Sequence, residues 1–150
     1  MTIEEMPEDI VTLLLDRPMK VTVLNDKSDK QVRFDLFERL NTGGLTLTDQ
    51  EVRECIFRGP FVDLLTELAD NASFKNTVLL TEKQNADGTK QEYVLRFFAF
   101  LHKYKQFDHS VKDFLNEYAE GASSATGEEL NGMKLEFERT FLFLQSCFPA

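Results

Sequence analysis

Phe37-Glu38-Arg39-Leu40-Asn41-Thr42-Gly43-Gly44, running directly into Leu45-Thr46-Leu47-Thr48-Asp49-Gln50-Glu51-Val52-Arg53, decides how this chain is read. Val32, Leu36, Phe37 and Leu40 recur at helical spacing before it, so one helix face is apolar up to that point. Asn-x-Gly-Gly then ends the helix, because asparagine and glycine accept the left-handed backbone in which helices stop. Thr48-Asp49-Gln50-Glu51 starts another: a threonine side chain accepts from the N–H three residues on while the glutamate reaches back, which is a capping box. Val52, Cys55 and Ile56 follow as its apolar stripe. The stretch is a helix, a short loop with free backbone N–H groups, and a second helix.

Working outward, Pro7 suits a first helical position, and Ile10, Leu13, Leu14 and Arg17 give a short stripe closed by Pro18. Met19 to Asn25 alternates and is β-branched, the signature of a strand; Asn25 to Lys30 is a polar turn. Beyond the central stretch, Gly59-Pro60 breaks one helix and opens the next, with Phe61, Leu64, Leu65 and Leu68 as its stripe and Asn71 at its end. Phe74 to Leu80 reads as a short helix or an extended piece, and Glu82 to Lys90 as a polar loop around Asp87-Gly88. Val94, Phe97, Phe98, Leu101 and Tyr104 form a helical stripe; a hairpin of residues 77–81 with 92–97 across Asp87-Gly88 is the competing reading. Ser110 caps a helix carrying Val111, Phe114, Leu115 and Tyr118, and Gly121 to Ala125 is a small-residue loop. Thr126-Gly127-Glu128-Glu129 is a second capping box, before Leu130, Met133, Phe137, Phe141, Leu144 and Phe148. The expected fold is mainly α: a multi-helix bundle of about seven helices with one short β-strand near the N-terminus. It is expected to be one domain over residues 1–150. Residues 1–28 form its helix-strand segment and 29–150 its bundle. A lone strand cannot satisfy its ladder. It either pairs with another copy or domain or lies along the helices, and the chain reads as a piece of something larger.

The formal charge of −9 argues against a broad electrostatic grip on nucleic acid. The 14 phenylalanines have no polar handle, so most are expected in the core. Cys55 and Cys147 are too few for a disulfide framework and lie in apolar helical patterns, which suggests buried thiols in a cytoplasmic protein. The apolar runs are too short for a membrane span, and the first residues do not have the pattern of a secretory signal. His102 and His109 lack the neighbouring cysteines or carboxylates of a metal site. There is no phosphate-binding glycine loop of the nucleotide-binding types.

Arg33, Arg39, Arg53 and Arg58 flank the loop, and lysine is absent from that stretch. Arginine is suited to bidentate phosphate binding. The same residues also fit surface helix pairs, since Asp35, Asp49 and Glu54 each lie four before an arginine. Both readings stay open here. For Asn41 the alternatives are an amide that orients a phosphate, base edge or water, and a helix cap. Gly43 and Gly44 permit either an anion nest or an ordinary turn. Phe37 reads as packing under the loop and Glu51 as the capping-box acceptor rather than a general base.

From Gln31 to Gly44, with Leu47 and Glu51-Val52-Arg53, the chain resembles the second motif of a large prokaryotic family. This is the GmrSD restriction endonuclease N-terminal domain family of phage-defence systems, where the motif reads Phe-x-x-x-Asn-x-Gly-Gly-x-x-Leu and then Glu-(Leu/Ile)-Arg. Glu92-Tyr93-Val94-Leu95-Arg96-Phe97 and Phe114-Leu115-Asn116-Glu117-Tyr118 resemble the family's helical region. The ParB-like, sulfiredoxin-like subdomain of that family carries an Asp-Gly-Gln-Gln-Arg motif associated with nucleotide hydrolysis or DNA cleavage. That motif is absent from this sequence, as is the downstream His-Asn-His type nuclease domain. The resemblance implies an accessory or truncated helical part, inactive alone. It makes Arg39, Asn41, Gly43, Gly44 and Arg53 nucleotide- or phosphate-binding candidates, with Phe37, Leu47 and Glu51 supporting the motif. It implies no catalytic residue and no metal site here. A nucleoside triphosphate with Mg, DNA, and a protein partner carrying the missing subdomain belong to the complete system. Residues 19–25 resemble the family strand that joins that subdomain's sheet. The alternative is a stand-alone helical interaction or regulatory module without nucleotide or nucleic-acid chemistry.

Overall fold

The computed structural model describes residues 7–18, 32–34, 36 and 47–148. The protein is mainly helical. Its bounded helices are α1 (Glu8–Leu15), α2 (Asp49–Ile56), α3 (Pro60–Ala69), α4 (Ala72–Thr77), α5 (Glu82–Ala86), α6 (Thr89–Lys103), α7 (Val111–Ala122) and α8 (Gly127–Cys147), with a 3-10 turn at Tyr104–Gln106. Residues 32–34 and 36 are also helical. The expected strand at 19–25 and the Asn41–Gly44 loop lie outside the described residues.

Helix starts follow the sequence chemistry. Thr48 and Thr126 each cap a helix through a complete capping box, while Pro60 opens α3 with no side-chain cap. A third box, Thr81 with Gln84, starts α5 inside the stretch expected to be a polar loop. The hairpin alternative fails, because residues 89–103 are one helix and residues 72–77 another. Gly88 makes the turn between α5 and α6 with φ 77°, a backbone region that costs other residues strain. The small-residue loop begins later than expected, since Gly121 and Ala122 are the last residues of α7.

α6 is the central helix, contacting α2, α3, α5 and α7, while α8 lies across α3 and α4. Val94, Leu95, Phe98 and Ala99 of α6 are fully buried, as are Phe61, Leu65 and Leu68 of α3. Phe137 of α8 sits among Phe74, Phe97, Phe98 and Phe141 with ring centroids 4.4–5.8 Å apart. Offset and edge-on rings at this spacing add about 0.5–1.5 kcal/mol per pair beyond their burial. Phe34 packs on Phe57 at 5.8 Å, carrying the segment before the loop onto the bundle.

The apolar stripes outrun the core at their ends. Leu101, Tyr104 and Phe148 are exposed. Cys55 and Cys147, expected to be buried, are exposed. Ile10, Leu13 and Leu15 of α1 are exposed as well. Among the described residues, no helix is long and apolar enough to cross a membrane.

Candidate functional site

The part of the central motif that the structure describes, residues 47 to 53, is built into the bundle by polar contacts. Glu51 is the acceptor of the capping box: its Oε2 receives the Thr48 N–H at 2.6 Å, and the Glu51 N–H donates to Thr48 Oγ1 at 3.3 Å. The Thr48 hydroxyl also reaches the Asp87 carbonyl at 2.9 Å. This bond ties the first turn of α2 to the α5–α6 turn, where Gly88 lies against the Gln50 side chain. A Cβ on Gly88 would stand 3.5 Å from Gln50 Cγ. Leu47 is partly exposed at the loop's edge.

Arg53 points into the bundle. Its side chain is 3% exposed. Nε donates to Asn116 Oδ1 of α7 at 2.7 Å, and Nη1 donates to Glu92 Oε2 of α6 at 3.1 Å and to Gln50 Oε1 at 3.2 Å. The other Glu92 oxygen receives Arg96 Nε at 3.1 Å and Nη2 at 2.6 Å. Gln50, 1% exposed, passes the network on by donating to Glu54 Oε1 at 3.1 Å. Burial pushes the Glu54 carboxyl up, and the Gln50 hydrogen bond works against that. Two guanidinium groups thus share one carboxylate, Arg53 from the buried side and Arg96 from the solvent side, and the charge of buried Arg53 is paired and hydrogen-bonded.

This arrangement replaces two of the three expected surface pairs, the third (Asp35 with Arg39) lying outside the described residues. Asp49 bonds Lys112 at 3.2 Å instead of Arg53, and Glu54 receives Gln50 instead of Arg58. The Arg53 Nε and Nη1 groups that an anion would engage are already bonded to Asn116, Glu92 and Gln50. The remaining sequence candidates, Phe37, Arg39, Asn41, Gly43 and Gly44, lie outside the described residues; of the described ones, Leu47 is exposed, Glu51 caps α2 and Arg53 braces it against α6 and α7.

A second polar constellation had no signal in the sequence. His102 of α6 is bonded at both ring nitrogens, Nδ1 to the Tyr118 hydroxyl of α7 at 2.6 Å and Nε2 to Glu136 Oε2 of α8 at 3.0 Å. A carboxylate only accepts, so Nε2 carries a proton; in the neutral ring Nδ1 accepts and Tyr118 donates. Burial, and then the Glu136 charge, push the Tyr118 phenol above its ordinary range, which keeps the hydroxyl proton in place. Tyr118 and His102 line an open cleft of about 700 Å³ between α6, α7 and the start of α8. Sequence reasoning passed over His102 because its carboxylate partner is 34 residues away, and helical spacing says nothing about such a pair.

Among the described residues, no three His, Cys, Asp or Glu side chains are grouped to hold a metal ion. No family model, no curated protein and no solved structure matches the chain.

Proposed function

We propose that this chain is an accessory helical part of a GmrSD-like phage-defence restriction system, inactive alone. Its Asn41-Thr42-Gly43-Gly44 loop forms one wall of a nucleotide- or DNA-proximal site, and the reactive wall belongs to a partner chain bearing the Asp-Gly-Gln-Gln-Arg subdomain. One observation supports this reading above others. Of the segments that carry the resemblance, the end of the motif at residues 47–53 and the two helical segments 92–97 and 114–118 meet in a single junction, where Arg53 bonds Glu92 and Asn116. Segments 39 and 63 residues apart that share both a likeness and a buried polar contact are expected if the likeness reflects a common architecture. Thr48 and Arg53, four and nine positions beyond the second glycine, are fixed by these contacts, and a loop needs such an anchor if it is to orient a ligand. Nucleoside triphosphate and Mg would bind in the assembled site, with Arg39, Asn41 and the glycine N–H groups as this chain's contribution.

The test is reconstitution. The full chain is mixed with a separately expressed subdomain carrying that motif, and association, nucleotide hydrolysis and DNA cleavage are measured. Hydrolysis should appear only in the mixture and fall by about tenfold or more in Asn41→Ala, the scale of losing one hydrogen bond in a transition state. Lack of association, or a mixture whose activity ignores Asn41, refutes the proposal.

A second reading, a non-catalytic interaction module, draws support from α8. Leu135, Leu142 and Phe143 are more than half exposed along it, and exposed apolar side chains grouped on one helix mark contact surfaces. Partner binding that survives Asn41→Ala but fails in Phe143→Glu would favour it.

A further inference from the structure

The cleft beside His102 is independent of the loop and of the function proposed for it. We infer that this cleft is a binding site for a small organic cation, an ammonium or amidinium group on an apolar body.

The argument starts from the hydrogen-bond direction. With the His102 ring neutral and its Nε2 proton given to Glu136, Tyr118 gives its hydroxyl proton to Nδ1. In that tautomer the Tyr118 oxygen is only an acceptor toward any third group. Bonds in a chain polarise one another, so a carboxylate behind the imidazole makes that oxygen a better acceptor than an isolated phenol. A ligand meeting it must bring a donor.

The charges around the cleft point the same way. Its lining carries the carboxylates of Glu117 and Glu129 against the single ammonium of Lys103, a balance of one negative charge with His102 neutral. Glu129 is kept ionised: its Oε2 receives the Thr126 N–H at 2.7 Å and hydroxyl at 2.9 Å, and these bonds hold its carboxyl below the usual range. The chain's formal charge of −9 adds a long-range field that attracts cations. Phe114 and Met133 contribute apolar surface to the same cleft, suited to the body of the ligand, and the Phe114 and Tyr118 rings suit its charge. The volume of about 700 Å³ lies within the range of small-molecule sites.

The cleft is also open where it need not be. Gly121 lines it, and a Cβ there would meet nothing within 4 Å. In the last turn of α7 a larger residue would improve helix propensity and fill the hollow, so packing does not demand glycine.

The test uses 2-phenylethylammonium as probe, with 2-phenylethanol and 3-phenylpropionate as neutral and anionic counterparts of similar shape. Binding to the full chain is followed by two-dimensional amide NMR and calorimetry. Saturable binding of the ammonium is expected, with shifts confined to residues around 102–106, 114–125 and 129–133. The alcohol should bind about tenfold more weakly, the loss expected for a charge-assisted hydrogen bond. Gly121→Leu should abolish binding while leaving thermal stability equal or higher, which separates occlusion from misfolding. Tyr118→Phe should weaken binding by about tenfold and Glu117→Gln by about threefold. The inference is overturned by 3-phenylpropionate or 2-phenylethanol binding as tightly as the ammonium, by binding unaffected in Gly121→Leu, or by no saturable binding up to about 10 mM, the weakest affinity expected of a nine-atom fragment.

Discussion

Replacing Arg53 with methionine isolates the energetics of the buried junction. Methionine keeps the unbranched stem and its packing while removing three donated hydrogen bonds, to Asn116, Glu92 and Gln50. Removing one partner of a buried ion pair costs about 3–5 kcal/mol when the other charge is left alone. Glu92 is not left alone here. It keeps both bonds from Arg96 and its side chain is 21% exposed, so its share falls to the lower end. Asn116 and Gln50 each lose one donor, about 1 kcal/mol apiece, although Gln50 keeps its bond to Glu54. Regained burial of an apolar stem offsets part of this. The expected loss is about 3 kcal/mol, which lowers the midpoint of thermal unfolding by roughly 6–12 °C for a domain of this size. The assay is urea unfolding followed by far-UV circular dichroism, which should show a lower midpoint at unchanged slope. Glu92→Gln keeps a neutral acceptor for Arg53 and should cost less, about 1–2 kcal/mol. An Arg53→Met protein within about 0.5 kcal/mol of the parent would mean that the junction contributes nothing net, and the reading of Arg53 as a cross-brace would be wrong.

Thr48→Ala and Thr126→Ala remove equivalent caps, each worth about 1 kcal/mol, but the Thr48 hydroxyl also bonds Asp87; Thr48→Ala should be the costlier by chemical denaturation, and equal losses would show that the tie to the α5–α6 turn adds nothing. Phe137→Ala opens a cavity among four rings and should cost about 3–5 kcal/mol, read as a drop in unfolding midpoint; a loss under about 1 kcal/mol would mean that the cluster collapses to fill the space. Burial raises the Glu54 carboxyl, so the folded chain holds that proton more tightly than the unfolded one. Its contribution is therefore unfavourable while ionised and improves as pH falls through the raised folded value. Glu54→Gln should then stabilise the protein at neutral pH and gain less in mild acid; an unchanged or lower neutral-pH midpoint would contradict the assigned burial.

Local chemistry was legible in the sequence and distant chemistry was not. Thr48 with Glu51, Thr126 with Glu129 and Gly59-Pro60 announce helix starts because every atom involved lies within one turn. The stripe Phe61, Leu64, Leu65, Leu68 is buried as spaced. Thr81 with Gln84 carries the same signal, but the helix it opens is only five residues long and has no apolar stripe to support it. Periodicity also fails to say which turns of a stripe a neighbour covers. Leu101, Tyr104 and Phe148 continue their stripes in register yet stand in solvent, and Cys55 and Cys147 share that fate. The Arg53–Asn116, Arg53–Glu92 and His102–Glu136 bonds join residues 63, 39 and 34 apart, and only the packed bundle brings them together.

Arg53 explains why a correct local rule gave the wrong partner. Four-residue spacing puts Asp49 within reach of Arg53 on an isolated helix, where such a pair is worth a few tenths of a kcal/mol. In the bundle α2 packs against both α6 and α7, and this offers Arg53 a carboxylate and an amide in a dry setting where each bond is stronger. Asp49, left in the first turn, keeps the favourable helix N-terminus and bonds Lys112 of α7 instead. Exchanging one exposed pair for a buried fork and a second cross-helix pair joins α2 to its neighbours at both its first and its last turn. α2 is therefore pinned at both ends, immediately after the stretch expected to be the diglycine loop. Anything attached just before α2 would be referred to a rigid support, and the Arg53 bonds to Asn116, Glu92 and Gln50 hold that support in place.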